Sequence, residues 1–137
     1  MIETDYTSTR TGGDNRDEQA RNQDWWERLP MTYEDWGAVN RSTTRERVIA
    51  KFLQSNPWLS RDYFSHFQGL RVLEIGCGAV PATCLFAEGG ASVTAVDLTA
   101  AAVKLTADFT RSLGVVVKKM DAEHLEFAEA SFDHVFS

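Results

Sequence analysis

Two cysteines in 137 residues are too few for a disulfide framework, and neither Cys77 nor Cys84 has a histidine at metal-ligand spacing. Histidine is equally sparse, with His66, His124 and His134 scattered along the chain, so no metal site is expected. The two cysteines read instead as small buried thiols. Basic residues are outnumbered: 14 Lys and Arg face 20 Asp and Glu, for a net charge of −6. No basic stripe offers a counter-charge to phosphates, which argues against nucleic acid as a partner. No apolar run approaches the ~20 residues needed to cross a bilayer. The opening MIETDYTSTRTGGDNRDE is too polar for a signal peptide, so a cytoplasmic location without membrane contact is expected.

What remains is a chain with 43% hydrophobic residues, ordinary for one globular domain. Its charge is uneven. Residues 1–40 carry nine acidic and four basic side chains, and the rest is nearly balanced. Residues 1–22 are rich in Thr, Asp, Asn, Gly and Arg and poor in apolar side chains, which predicts a disordered tail. Residues 23–68 form a second segment, aromatic and then helical. Trp25, Trp26, Tyr33 and Trp36 are expected to anchor it on the domain. Thr43 and Glu46 have capping-box spacing, and Val48, Ile49, Phe52 and Leu53 share one face of the helix that follows, up to Asn56-Pro57.

From Arg71 the pattern changes to RVLEIGCGAVPAT, an apolar strand that stops at a glycine turn and opens a helix. Gly76 and Gly78 let backbone approach a ligand where a Cβ would intrude, and Pro81 suits a first helical turn. A tight strand-to-helix turn without a ligand is the plain alternative. Glu74 bears on the ligand's charge, because a carboxylate there repels a pyrophosphate but tolerates the amino and sulfonium cations of S-adenosylmethionine. Pro81 also stands where the third glycine of a dinucleotide fingerprint belongs, which disfavours a nicotinamide cofactor.

Further strands follow. ASVTAVDLT ends on Asp97, nineteen positions after Gly78, close to the ~20 residues expected between a glycine turn and a ribose-binding acid. VVVKKMDAE ends on Asp121, and FDHVFS begins a fourth strand. Each acid alone is equally readable as a helix cap or a solvated turn. Together, Glu74, Asp97 and Asp121 would line the carboxyl edge of a parallel sheet, where open α/β sheets bind ligands. Between the strands, Pro81 to Glu88 predicts one helix ended by Gly89-Gly90. A second, capped by Thr99, is predicted through Ala102, Leu105, Phe109 and Leu113 up to Gly114. The expected fold is α/β: a Rossmann-like parallel sheet in local order 3-2-1-4, three-layer α/β/α, incomplete, with an N-terminal helical extension.

The motifs VLEIGCG, AVDLT, KMDAE and SFDHVFS, in that order, resemble the N-terminal half of class I S-adenosylmethionine-dependent methyltransferases of the small-molecule type. The resemblance covers residues 69–137 as a partial S-adenosylmethionine-binding domain. It implies that Glu74, Gly76 and Gly78 border the methionine part of the donor, that Asp97 holds the ribose and that Leu98 packs on adenine. By the same resemblance Asp121 accepts from the adenine amino group beside the backbone of Ala122. Val80 departs from the pattern, standing where the family often has a small residue. The segment before the first strand would be a lid, with Trp36 in a hydrophobic wall for the acceptor. The implied activity is methyl transfer from S-adenosylmethionine to a small molecule. No residue is assigned as the catalytic base, His134 included.

A complete fold of that family has seven strands, so the sequence reads as truncated, or as a chain whose sheet a second polypeptide completes. The alternative function is a catalytically inactive module that binds S-adenosylmethionine or docks on another protein along its fourth strand.

Overall fold

The computed structural model describes residues 12–28, 44–78 and 81–137. Three helices come first: α1 (Gly12–Arg28), α2 (Arg45–Ser55) and α3 (Arg61–Ser65). Strands and helices then alternate as β1 (Arg71–Ile75), α4 (Pro81–Glu88), β2 (Ser92–Asp97), α5 (Ala100–Phe109), β3 (Val116–Lys119) and β4 (His134–Phe136). The four strands form one parallel sheet in the order β3-β2-β1-β4, the expected Rossmann-like arrangement flanked by helices. Among the described residues no helix is long and apolar enough to cross a membrane.

β1 lies between β2 and β4, and Val72, Leu73 and Glu74 are buried in succession, as a central parallel strand requires. The register sets Ile75 beside Val96 and Glu74 beside Phe136. Arg71 clamps β4 onto the start of β1: its backbone N–H and guanidinium both donate to Asp133, whose carboxyl is drawn down to about 2.

The core gathers Ile49 of α2, Phe64 of α3, Val72, Val93 and the buried side of α4. Phe86 has no exposure and meets Phe64, Phe67 and Phe136 edge-on at ring distances of 4.8, 5.2 and 5.2 Å. α4 starts on Pro81 and ends in a Schellman turn. Ala91 N–H donates to the Phe86 carbonyl and Gly90 N–H to that of Ala87, with Gly90 at φ +91°. α3 was not anticipated; Ser60 caps it by accepting from Tyr63 N–H, and it carries Phe64 and Phe67 to α4.

Three expectations need correction. The disordered tail over residues 1–22 gives way to helix from Gly12, because long-range side-chain bonds hold a segment whose composition alone does not. The N-cap of α2 is Thr44, accepting from Arg47 N–H at 3.3 Å, one residue after the Thr43–Glu46 box. α5 stops at Phe109 and does not run to Leu113. Thr110 bonds back to the Thr106 carbonyl, while the Arg45 guanidinium takes the carbonyls of Phe109 and Arg111. Residues 1–11, Tyr33, Trp36, Thr43 and Val80 lie outside the described residues.

Candidate functional site

The turn after β1 is fastened to the end of β2. Gly76 and Cys77 N–H both donate to the Val96 carbonyl, at 2.9 and 3.1 Å. Gly76 sits at φ +75°, a conformation that excludes most side chains, and nothing lies within 4 Å of where its Cβ would stand. Gly78 N–H donates to Asp97 Oδ2 at 3.0 Å, and Asp97 Oδ1 accepts from Thr99 N–H and Oγ1 at 3.0 and 3.1 Å. Thr99 also caps α5 by accepting from Ala102 N–H. One half-buried carboxylate thus joins the glycine turn to the start of α5.

Glu74 is 5% exposed and accepts from the Thr83 hydroxyl. Burial pushes its carboxyl up to about 7, against the Thr83 hydrogen bond and with the help of nearby Asp97. Cys77 is pushed up to about 12, mainly by burial, although the Thr106 hydroxyl donates to its sulfur at 3.4 Å. Cys84 rises equally, again mainly by burial. Both thiols are the unreactive buried type expected.

Beyond β3, Met120 N–H donates to the Asp97 carbonyl at 2.9 Å, which sets Asp121 and Ala122 beside the second strand end. Asp121 Oδ1 accepts from Glu123 N–H at 2.9 Å, and Oδ2 from Gln19 Nε2 at 2.8 Å. These contacts, the Glu123 amide foremost, hold its carboxyl below the usual range. Asp121, Glu123 and His124 bring one ligand atom each within 4.8 Å of one another, at an exposed rim where Asp121 is already hydrogen-bonded. From α1, Glu27 reaches the N-terminus of α5 and accepts from Ala100 N–H at 2.8 Å.

All seven residues named from the sequence, Glu74, Gly76, Gly78, Asp97, Leu98, Asp121 and Ala122, line one cavity of about 750 Å³ at the carboxyl ends of β1 to β3. Sequence reasoning did not anticipate that Gln19, Asn22 and Trp26 of α1 also line it, or Phe52, Asn56, Trp58 and Leu59 around the end of α2, or Phe136 of β4. The Asn56-Pro57-Trp58 run carries a signal, a tryptophan beside a helix stop. Gln19 carries none. His134 does not line the cavity; its ring packs on Phe67, with centroids 4.3 Å apart.

Residues 73–137 match a family model described as a methyltransferase domain. The fold is similar to that of phosphoethanolamine N-methyltransferase 1 from Haemonchus contortus, solved with phosphoethanolamine and S-adenosylhomocysteine. The TM-score is 0.61 and the identity 22%, over 92% of this chain and 26% of that one. It is also similar to magnesium protoporphyrin IX methyltransferase from Synechocystis PCC 6803 with bound SAH, with TM-score 0.59 and 19% identity over 85% of this chain and 56% of that one. The chain thus spans from about a quarter to a little over half of the length of these two structures. No curated protein sequence matches it significantly.

Proposed function

We propose that this chain, whose residues 73–137 match the methyltransferase-domain family, is of the class I S-adenosylmethionine-dependent type and binds S-adenosylmethionine at the carboxyl edge of its sheet. It would serve an enzyme that transfers the methyl group to a small acceptor. The observation that carries this reading is the convergence of Glu74, the Gly76 turn, Asp97 and Asp121 on one cavity, across 48 positions of sequence. Residues 69–137 form the binding unit in this reading, and residues 23–68, extended back to Gly12, form its cover.

The residues fit the donor in charge and shape. Glu74 is a buried carboxylate with a hydroxyl for a partner, and among the described residues no Lys, Arg or His lines the cavity. A ligand that brings its own positive charge compensates that burial. The open space at Gly76 leaves room for backbone contact. Asp97, fixed by Gly78 and Thr99, keeps one acceptor site on Oδ2 for a ribose hydroxyl and meets the second once the Thr99 hydroxyl turns away from Oδ1. Leu98 offers a half-buried apolar face to the adenine ring. Asp121 accepts from its amino group once Gln19 gives way, with the backbone of Ala122 alongside.

When bound, S-adenosylmethionine supplies a methyl group made electrophilic by its sulfonium. The chain's own contribution is position. A cradle fixed by backbone amides and two carboxylates holds the donor in one orientation, and such positioning is worth ~7–11 kcal/mol in rate. Titrating the chain with S-adenosylmethionine, S-adenosylhomocysteine and NADH tests the reading. The first two should bind at least about tenfold more tightly than NADH, a difference of ~1.4 kcal/mol; NADH binding as tight as the donor would overturn it.

A second reading, docking of another polypeptide along β4, is supported by Val135, which is 53% exposed on that strand. Light scattering separates the two: a monomer that binds donor supports the first, and a stoichiometric complex with a second polypeptide supports the second.

A further inference from the structure

The acids that line the cavity are not equally wet. Asp97 ends β2 and Asp121 lies just beyond β3, both half-buried, and Glu123 is exposed. Glu74 instead stands within the central strand, 5% exposed, with Ala95 in register on one side and Phe136 on the other. Its hydrogen-bond partner is the hydroxyl of Thr83, which α4 holds fully buried above the strand. The nearest charge acting on it is Asp97 on the paired strand, and Asp121 and Glu123 lie across the same cavity. Cys77 in the turn and Cys84 on α4 are pushed up to about 12 and stay neutral thiols. On β4, His134 is in register with Val72 and packs on Phe67, off the cavity.

We infer that Glu74 couples ligand charge to a proton: it keeps its proton while the cavity is empty and gives it up to solvent when a cationic ligand enters, with Thr83 as the positioning residue that sets the pH at which this happens. The inference rests on the donor reading above for the identity of the ligand. A carboxylate stripped of water, with one hydroxyl donor and another carboxylate nearby, is less costly as the neutral acid. Burial accordingly pushes Glu74 up to about 7, while the Thr83 hydrogen bond, which favours the ionised form, pulls the other way. A ligand ammonium or sulfonium placed in the cavity reverses the balance, because the ionised acid then has a partner of opposite sign. Affinity for a cationic ligand therefore rises with pH until the empty cavity has itself lost the proton, and levels off above that point. A neutral ligand of the same shape meets an acid that has no reason to ionise.

Calorimetric titration of the 137-residue chain with S-adenosylmethionine in phosphate and in imidazole buffer, whose heats of ionisation differ, counts the protons released. At pH 6 binding should release about one proton, and affinity should rise about tenfold per pH unit from pH 5 to 6.5 before levelling off. Adenosine, which shares the adenine and ribose and carries neither cation, should release none. Glu74→Gln should abolish the release and flatten the pH profile. Thr83→Val keeps the acid and removes the donor to its ionised form, so the midpoint of the profile should move up by at least about half a pH unit. A merely structural Thr83 would lower stability and leave that midpoint in place. Binding of S-adenosylmethionine without proton release, equal release by adenosine, a release that survives in Glu74→Gln, or an unmoved midpoint in Thr83→Val would overturn the inference and leave the donor reading standing. No binding of S-adenosylmethionine by the folded chain would remove the donor reading, and the inference with it.

Discussion

The glycine turn and α1 face the same cavity but are held in it by different means. The turn is built into the sheet: Gly76 and Cys77 bond to Val96, Gly78 to Asp97, and α4 carries on directly into the core through Leu85 and Phe86. α1 is a polar helix with Trp25 and Trp26 52% and 38% exposed, joined to the body through Gln19 at Asp121 and Glu27 at the start of α5. The cradle's position follows from the fold itself, whereas the cover's depends on a few side-chain hydrogen bonds worth about 1 kcal/mol each. A cover held so lightly can yield its contact with Asp121 to a ligand, and a cradle held so firmly can orient one.

Phe86→Ala attacks the cradle from beneath and should have the largest effect, a loss of about 3–5 kcal/mol in urea unfolding. A loss below about 1 kcal/mol would show that α4 is not anchored through this ring. Glu74→Gln is next. The Glu74 carboxyl is raised from 4.5 to about 7 by burial, so between those pH values the folded protein keeps a proton that the unfolded chain has released. Stability therefore falls as pH rises through this window and levels off above it, by about 3 kcal/mol in all. In Glu74→Gln that fall should disappear, as seen by comparing urea midpoints at pH 5 and pH 8; an unchanged slope would mean another group titrates. Gln19→Ala, on the cover, should cost less than about 1 kcal/mol of stability and change donor affinity by less than about fivefold. A loss above 2 kcal/mol would place α1 with the cradle and erase the distinction.

The same difference explains what the sequence made legible. Pro81, Gly89-Gly90 and Thr99 act through neighbours a few residues away, so helix start, stop and cap are readable from spacing, and the apolar run Val72–Ile75 ending at Gly76 reads as strand and turn from its own pattern. The sheet order followed from the alternation of strands and helices. Helix α1 was not legible, because its contacts join Gln19 to Asp121 and Glu27 to Ala100, 102 and 73 positions apart, within a stretch whose composition reads as disordered. The early end of α5 was missed for a related reason. Phe109 and Leu113 keep helical spacing, but Arg45 draws the Phe109 and Arg111 carbonyls out of the helix pattern. Phe52 shows in the sequence only as part of an apolar helix face, and nothing in the spacing of Trp58 ties it to Asp97; only the folded chain brings both to the cavity that holds Asp97.

Calorimetric titration of the chain and of Asp97→Ala with S-adenosylmethionine, with circular dichroism confirming that both are folded, tests the central claim most directly. Saturable binding by the parent chain, weakened at least about 100-fold in the variant through loss of a charged hydrogen-bonding group, is the predicted result. Equal affinity in the two folded proteins, or no binding by the folded parent, would contradict the assignment of this cavity as the donor site.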